Sequence, residues 1–201
     1  MVATWGATGY GGSMDSEQYP EFRLGNVLMT SFTATLSERY GDAIERVPTP
    51  QRLVDWFRVH DLQVASCSET ELEVSRDLRE SIHLVATAVA ANDALPLEEL
   101  LLINQCSESG SASPELTSAG TMRWRLHTES VSDALAVICM NTVSVLSGER
   151  GGRLALCASQ TCQAAFFDTS RNRTRRWCDM NTCGNREKKA RFLANKRAQR
   201  N

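Results

Sequence analysis

Cys157-Ala158-Ser159-Gln160-Thr161-Cys162 and, fifteen residues further on, Cys178-Asp179-Met180-Asn181-Thr182-Cys183 form two matched Cys-x4-Cys pairs. Two close thiolate pairs joined by a loop supply the four soft ligands of tetrahedral zinc, at Zn–S distances of about 2.3 Å. Each pair spans one tight turn, so both of its sulfurs face one point with little backbone strain. Four sulfurs close the coordination sphere and leave no place for a water. The spacing therefore predicts one structural Zn2+ per chain, held by Cys157, Cys162, Cys178 and Cys183. A module of about 50 residues has little apolar mass, and metal binding, worth roughly 10–16 kcal/mol in zinc-finger peptides, supplies what its core lacks. Iron–sulfur ligation and disulfide pairing are the alternatives. An odd total of seven cysteines, with no basic-then-apolar export segment, argues for metal. Cys67, Cys106 and Cys139 stand at no ligand-like spacing and read as small buried hydrophobes.

The charge divides where the cysteine pairs begin. The whole chain of 201 residues carries a formal charge of −2. Residues 1–150 hold 10 Lys and Arg against 21 Asp and Glu, whereas residues 151–201 hold 12 against 3. A swing from −11 to +9 at Gly151-Gly152 marks a boundary, and a basic tail implies a polyanionic partner. The reading is a lead-in over 1–19, a domain over 20–149 and the cysteine module over 153–201.

Between the pairs, Phe166, Phe167 and Trp177 are read as the apolar cover of the metal, and Asp168 as a holder of an arginine or a turn cap. Arg171, Arg173, Arg175 and Arg176 present a fork of donors suited to phosphate oxygens. After Cys183 the chain lacks proline and is rich in Ala, Lys and Arg, which predicts a helix from about Asn185. Arg186, Lys189, Lys196, Arg197 and Arg200 fall on one broad side, and Ala190, Ala194 and Ala198 on a narrow side able to rest on the metal knuckle. A helix fixed by a metal ligand and cationic outside suits a nucleic-acid groove.

The acidic part reads as a mostly helical domain. Phe22–Leu36, rich in Thr, Val and Phe, suggests one or two strands. Thr49-Pro50 predicts an N-cap with proline at the first position, opening a helix to about Leu62 with Leu53, Trp56, Phe57 and Val59 inward. Leu78, Ile82, Val85, Ala86 and Val89 form one apolar stripe on a helix from Glu69 to Ala91, ended by Asn92-Asp93. Pro96 starts a shorter helix through Leu100, Leu101 and Ile103. Met122, Trp124 and Leu126 alternate with polar residues as in a half-buried strand, and a last helix covers Ser130–Leu146.

Several functions are excluded at this level. Gly6, Gly9 and Gly12 have a dinucleotide-loop spacing but lack the strand before and the helix after. His60, His83 and His127 have no catalytic partner at a recurring spacing, and no nucleophile elbow, zinc-protease or phosphate-loop motif is present. The expectation is a soluble, cytoplasmic protein that is neither an enzyme nor membrane-bound.

The run Cys-x4-Cys, Phe-x-Asp-x-Ser-Arg-x-Arg-x-Arg-Arg-Trp-Cys-x-Met-x-x-Cys-Gly-Asn-Arg-x-Lys, from Cys157 through Lys188, resembles the CGNR zinc-finger family. In that family the finger follows a helical ABATE domain. Met29–Thr35 is similar to the family's Leu-Asp-Phe-x-x-Thr strand, and Thr49-Pro50-x-x-Leu53-x-x-Trp56 and Trp124 also match. The resemblance implies a bacterial, stress-responsive transcription regulator that binds DNA through the finger. The fold expected is α+β: a mostly helical N-terminal domain with a few strands, then a small treble-clef or ribbon-like finger with a basic terminal helix. DNA contacts are assigned to Arg171, Arg173, Arg175, Arg176, Arg186, Lys188, Lys189, Lys196 and Arg197, with Arg186 and Lys189 nearest base edges. The N-terminal domain would sense a small-molecule or protein effector, or form a homodimer. The competing reading is a zinc-stabilised protein-interaction module, with RNA binding as a variant.

Overall fold

The computed structural model describes residues 19–199. Residues 1–18, which hold the glycine-spaced segment and all of the lead-in but Tyr19, and residues 200–201, Arg200 among them, lie outside the described residues.

The first element is a helix, α1 (Leu28–Thr33), followed by a two-residue strand β1 (Leu36–Ser37) paired antiparallel with β2 (Ile44–Glu45). Strands over Phe22–Leu36, and a strand at Met29–Thr35, are thus overturned. The hydroxyls explain why. Thr30 and Ser31 donate to the carbonyl of Val27, at 3.1 and 3.3 Å, and Thr35 donates to that of Phe32, at 2.7 Å. β-Prone side chains here return hydrogen bonds to their own backbone, so a short helix can be buried on every side. Its free N-terminus is completed from outside, Met29 N donating to Asn141 Oδ1 at 3.0 Å.

Helix α2 (Pro50–Val59) starts as its sequence demands: Thr49 Oγ1 accepts from Arg52 N at 3.2 Å, with proline in the first turn. It ends before Leu62, and Val59 faces out while Leu53, Trp56 and Phe57 are buried. Helix α3 (Glu69–Ala91) carries a Ser68–Glu71 capping box and ends on Asn92 in the left-handed conformation. Leu78, Ile82, Val85 and Ala86 are fully inside.

Helix α4 (Leu97–Ser109) buries Ile103 but leaves Leu101 exposed. A hairpin follows, β3 (Ala112–Leu116) on β4 (Met122–Leu126), with Pro114 opposite Trp124. Only Leu126, at the base of the hairpin, is buried; Met122, near its tip, reaches beyond the core into solvent. Helix α5 (Val131–Leu146), capped by Ser130, runs through the centre with Val131, Leu135 and Ile138 buried. Buried Asp133 fastens the hairpin to it, accepting from Ser111 N at 2.7 Å and Thr128 N at 2.8 Å. No helix of the described residues is long and apolar enough to cross a membrane.

The last part is a hairpin, β5 (Arg153–Leu156) on β6 (Ala165–Asp168), then a loop, a wide turn at Met180–Gly184 and helix α6 (Asn185–Ala198). All four residues of β6 are buried. Phe166 packs with the cysteines, but Phe167, its neighbour on the opposite face of the strand, joins Leu154 and Ala165 in the main core. Phe167 therefore does not cover the metal centre as its sequence position suggested; the period of two turns it away.

Candidate metal centre and cationic surface

Cys157 follows β5, and Cys162 closes the knuckle at the tip of the hairpin. Cys162 N donates to Ser159 O at 3.1 Å, and Gln163 takes a positive φ of 44°. Cys178 lies in the loop and Cys183 in the wide turn. That turn is capped by Asp179, whose Oδ1 accepts from Thr182 N at 3.2 Å. The four sulfurs converge: Cys162 to Cys178 is 3.6 Å, Cys178 to Cys183 is 3.7 Å, and all four lie within 4.8 Å of one another. A tetrahedral ion with bonds of about 2.3 Å would hold its sulfurs about 3.8 Å apart. The donor set fits a metal ion, and it is positioned to hold one.

The loop between the pairs is organised by Asp168. Its buried carboxylate accepts from Ser170 N at 2.9 Å and Arg175 N at 3.0 Å. The bonds from Ser170 and Arg175 hold that carboxyl below its usual range despite burial. Of the two roles read from sequence, Asp168 takes that of turn cap.

The arginines of this loop divide. Arg171 and Arg173 are exposed, and their guanidinium groups make no hydrogen bond among the described residues. Arg175 is exposed as well, but its guanidinium is engaged, donating through Nε to Trp177 O at 2.7 Å and through Nη2 to Cys178 O, 5.2 Å above the Phe166 ring. Arg176 lies 5.2 Å over Trp177.

Helix α6 begins where sequence placed it, but it buries no residue. Ala190, Ala194 and Ala198 are exposed and do not rest on the knuckle. The helix has no continuous apolar stripe, so nothing draws one face down, and it leaves the metal turn as a free rod. Lys188, Lys189, Lys196 and Arg197 are all exposed, and none enters an ion pair among the described residues.

Arg186 differs from its neighbours on α6. Its Nη1 donates to Glu38 Oε2 at 2.7 Å; its Nη2 donates to Ser159 Oγ at 3.0 Å and to Cys183 Sγ at 3.4 Å. One guanidinium thus joins the N-terminal domain, the knuckle and a metal-binding sulfur, the last being the outer-shell support that thiolate sites use. Glu38 is 4% exposed and sits in the left-handed region at φ 52°. It also accepts from Thr161 Oγ1 at 2.9 Å and Arg23 Nη1 at 3.3 Å. Burial pushes its carboxyl up, but the bonds from Arg186 and Thr161 outweigh this and hold it below the usual range. Sequence reasoning missed Glu38, Arg23, Ser159 and Thr161. A separation of 148 residues between Glu38 and Arg186 leaves no local pattern to find.

Comparison with known proteins agrees with this architecture. The family model of the ABATE domain, described as "Putative stress-induced transcription regulator", matches residues 26–149. That of the CGNR zinc finger matches residues 153–196. No curated protein matches the chain.

Proposed function

The chain belongs to the ABATE family, and on that premise we propose that it is a bacterial, cytoplasmic transcription regulator that binds DNA through its C-terminal finger. Zinc is the ion assigned to the four sulfurs, in a structural role. It fixes the turn that launches α6 and leaves no open ligand position for catalysis, so the reading is non-enzymatic. The N-terminal domain, acidic overall, would repel DNA and orient the finger toward it, and would act as sensor or dimerisation unit.

The observation that carries this reading is the set of exposed cations on α6 and on the loop that have no ion-pair partner among the described residues: Lys188, Lys189, Lys196, Arg197, Arg171 and Arg173. Neutralising Z phosphates releases condensed counterions, so log affinity falls against log salt with a slope near −0.9Z. The test is fluorescence anisotropy of the full-length, zinc-loaded protein on duplex DNA across a salt series. A steep negative slope is expected, and binding indifferent to salt would overturn the reading.

One observation favours a protein partner instead. Phe192 and Leu193 stand 66% and 44% exposed in the middle of the same helix, and a large apolar side chain such as Phe192, left in solvent, is what a protein partner would cover. If that reading is the right one, Phe192→Ser abolishes capture of the partner, while duplex DNA is bound only weakly by either form.

A further inference from the structure

A cleft of about 750 Å³ separates the N-terminal domain from the finger, and Cys178 and the turn after it border its finger side. Arg23, Ser37, Arg46 and Phe22 line one wall, Phe166 and Met180 the other. Its size is that of an ordinary small-molecule site.

Arg46 is the unusual member. It is 6% exposed, yet no carboxylate lies within ion-pair distance of it among the described residues. Its Nε donates to Ser37 Oγ at 3.1 Å and its Nη1 to the carbonyl of Glu21. Its Nη2 makes no hydrogen bond among the described residues. Burial, and then the neighbouring charge of Arg23, lower its pKa from the ordinary arginine value. The nearby Glu38 carboxylate is already shared between Arg23 and Arg186. Glu38 and Glu21 offset part of the cost through space, but a buried guanidinium with no carboxylate in direct contact gains most from an anion that completes it.

The walls specify what kind of anion. A planar guanidinium edge matches a carboxylate, and Phe22, Phe166 and Met180 offer surface to an apolar body. Glu21 and Asp179 also line the cleft and disfavour a second negative charge, such as that of a phosphate dianion. We propose that this cleft binds a small monocarboxylic acid with an apolar body, its carboxylate on Arg46 Nη2 and Arg23 and its body against Phe22, Phe166 and Met180. The site stands independently of DNA binding.

The test is calorimetric titration of the full-length, zinc-loaded protein with benzoate, its neutral analogue benzamide, and inorganic phosphate. Saturable benzoate binding is expected, at least tenfold tighter than that of benzamide or phosphate, and Arg46→Gln should weaken it tenfold or more. Equal binding of benzoate and benzamide, preference for phosphate, or no saturation at millimolar benzoate would overturn the proposal. Because Arg46 is buried, amide NMR of the unsubstituted protein provides a second measurement free of any folding defect. Benzoate should shift the amides of Gly25, Asn26, Asn181 and Thr182. Shifts confined to α6 would mean mere attraction to its lysines and would overturn the site.

Discussion

Arg186 Nη1 reaches Glu38 Oε2 at 2.7 Å across 148 residues of chain, and the same guanidinium touches Cys183 Sγ at 3.4 Å. The residue that opens the terminal helix is thereby tied to both the domain and the metal centre. Glu38→Gln and Arg186→Gln should each destabilise the protein by roughly 1–2 kcal/mol, toward the low end because Arg186 is partly in solvent. The double variant should cost clearly less than the two together. Urea denaturation of all four forms checks this, and full additivity would mean that the pair is not coupled.

The metal centre should decide whether α6 exists. Chelation, or Cys178→Ser, should abolish the far-ultraviolet helical signal of Asn185–Ala198 while α3 and α5, packed in the main core, persist. Circular dichroism with metal analysis checks it. A metal-free protein with unchanged helicity would show that the turn needs no ion.

The exposed cations should be separable from Arg186 by salt dependence. Replacing Lys189, Lys196 and Arg197 by Ala should each reduce the slope of log affinity on log salt by about 0.9. Arg186→Gln should change that slope little, since its charge is already engaged by Glu38. The two sets of slopes, measured on one duplex, decide whether Arg186 reads DNA or positions the helix that does.

Two histidines, His83 buried and His60 half-buried, should make stability depend on pH. Burial pushes His60 down from 6.5 to about 4; burial, and then the charge of Arg39, does the same to His83. Neither His60 Nε2 nor His83 Nδ1 has a partner among the described residues. Both stay neutral when folded and take up a proton on unfolding. Their contribution is thus complete above pH 6.5 and is lost as pH falls toward 4, at about 1.4 kcal/mol per pH unit for each group. Denaturation midpoints at descending pH should fall accordingly, and His83→Gln should flatten the dependence. An unchanged slope in that variant would place the titration elsewhere.

Gly152 sits where a Cβ would lie 2.4 Å from Phe167 Cζ. That ring is held in the core and cannot swing away, so Gly152→Ala should cost about 1–3 kcal/mol by overpacking. Gly151→Ala, with open space around it, should cost little. Thermal unfolding of the two variants makes the comparison.

Sequence carried the parts of this structure whose cause is local. Thr49-Pro50 marks a helix start because capping involves residues three apart. The four thiolates were legible because metal chemistry fixes their spacing. Met29–Thr33 was misread because Thr and Ser lean toward strands, and only burial with a completing contact from Asn141 makes them helical. Strand β3, Ala112–Leu116, went unread because it contains Pro114 and is defined by its pairing with β4. The alanines of α6 deceived for a related reason: small residues permit close packing, but only an apolar stripe compels it.

A strand covered from both sides has a genealogical consequence. Phe166 and Phe167 point into different cores from adjacent positions on β6, so the C-terminal unit is no interchangeable cassette. Spliced behind an unrelated partner, it would expose Leu154 and Phe167 and lose Glu38 beneath Arg186. Any lineage that exchanged one half would have to rebuild the seam, so the two halves should be inherited together and drift in concert.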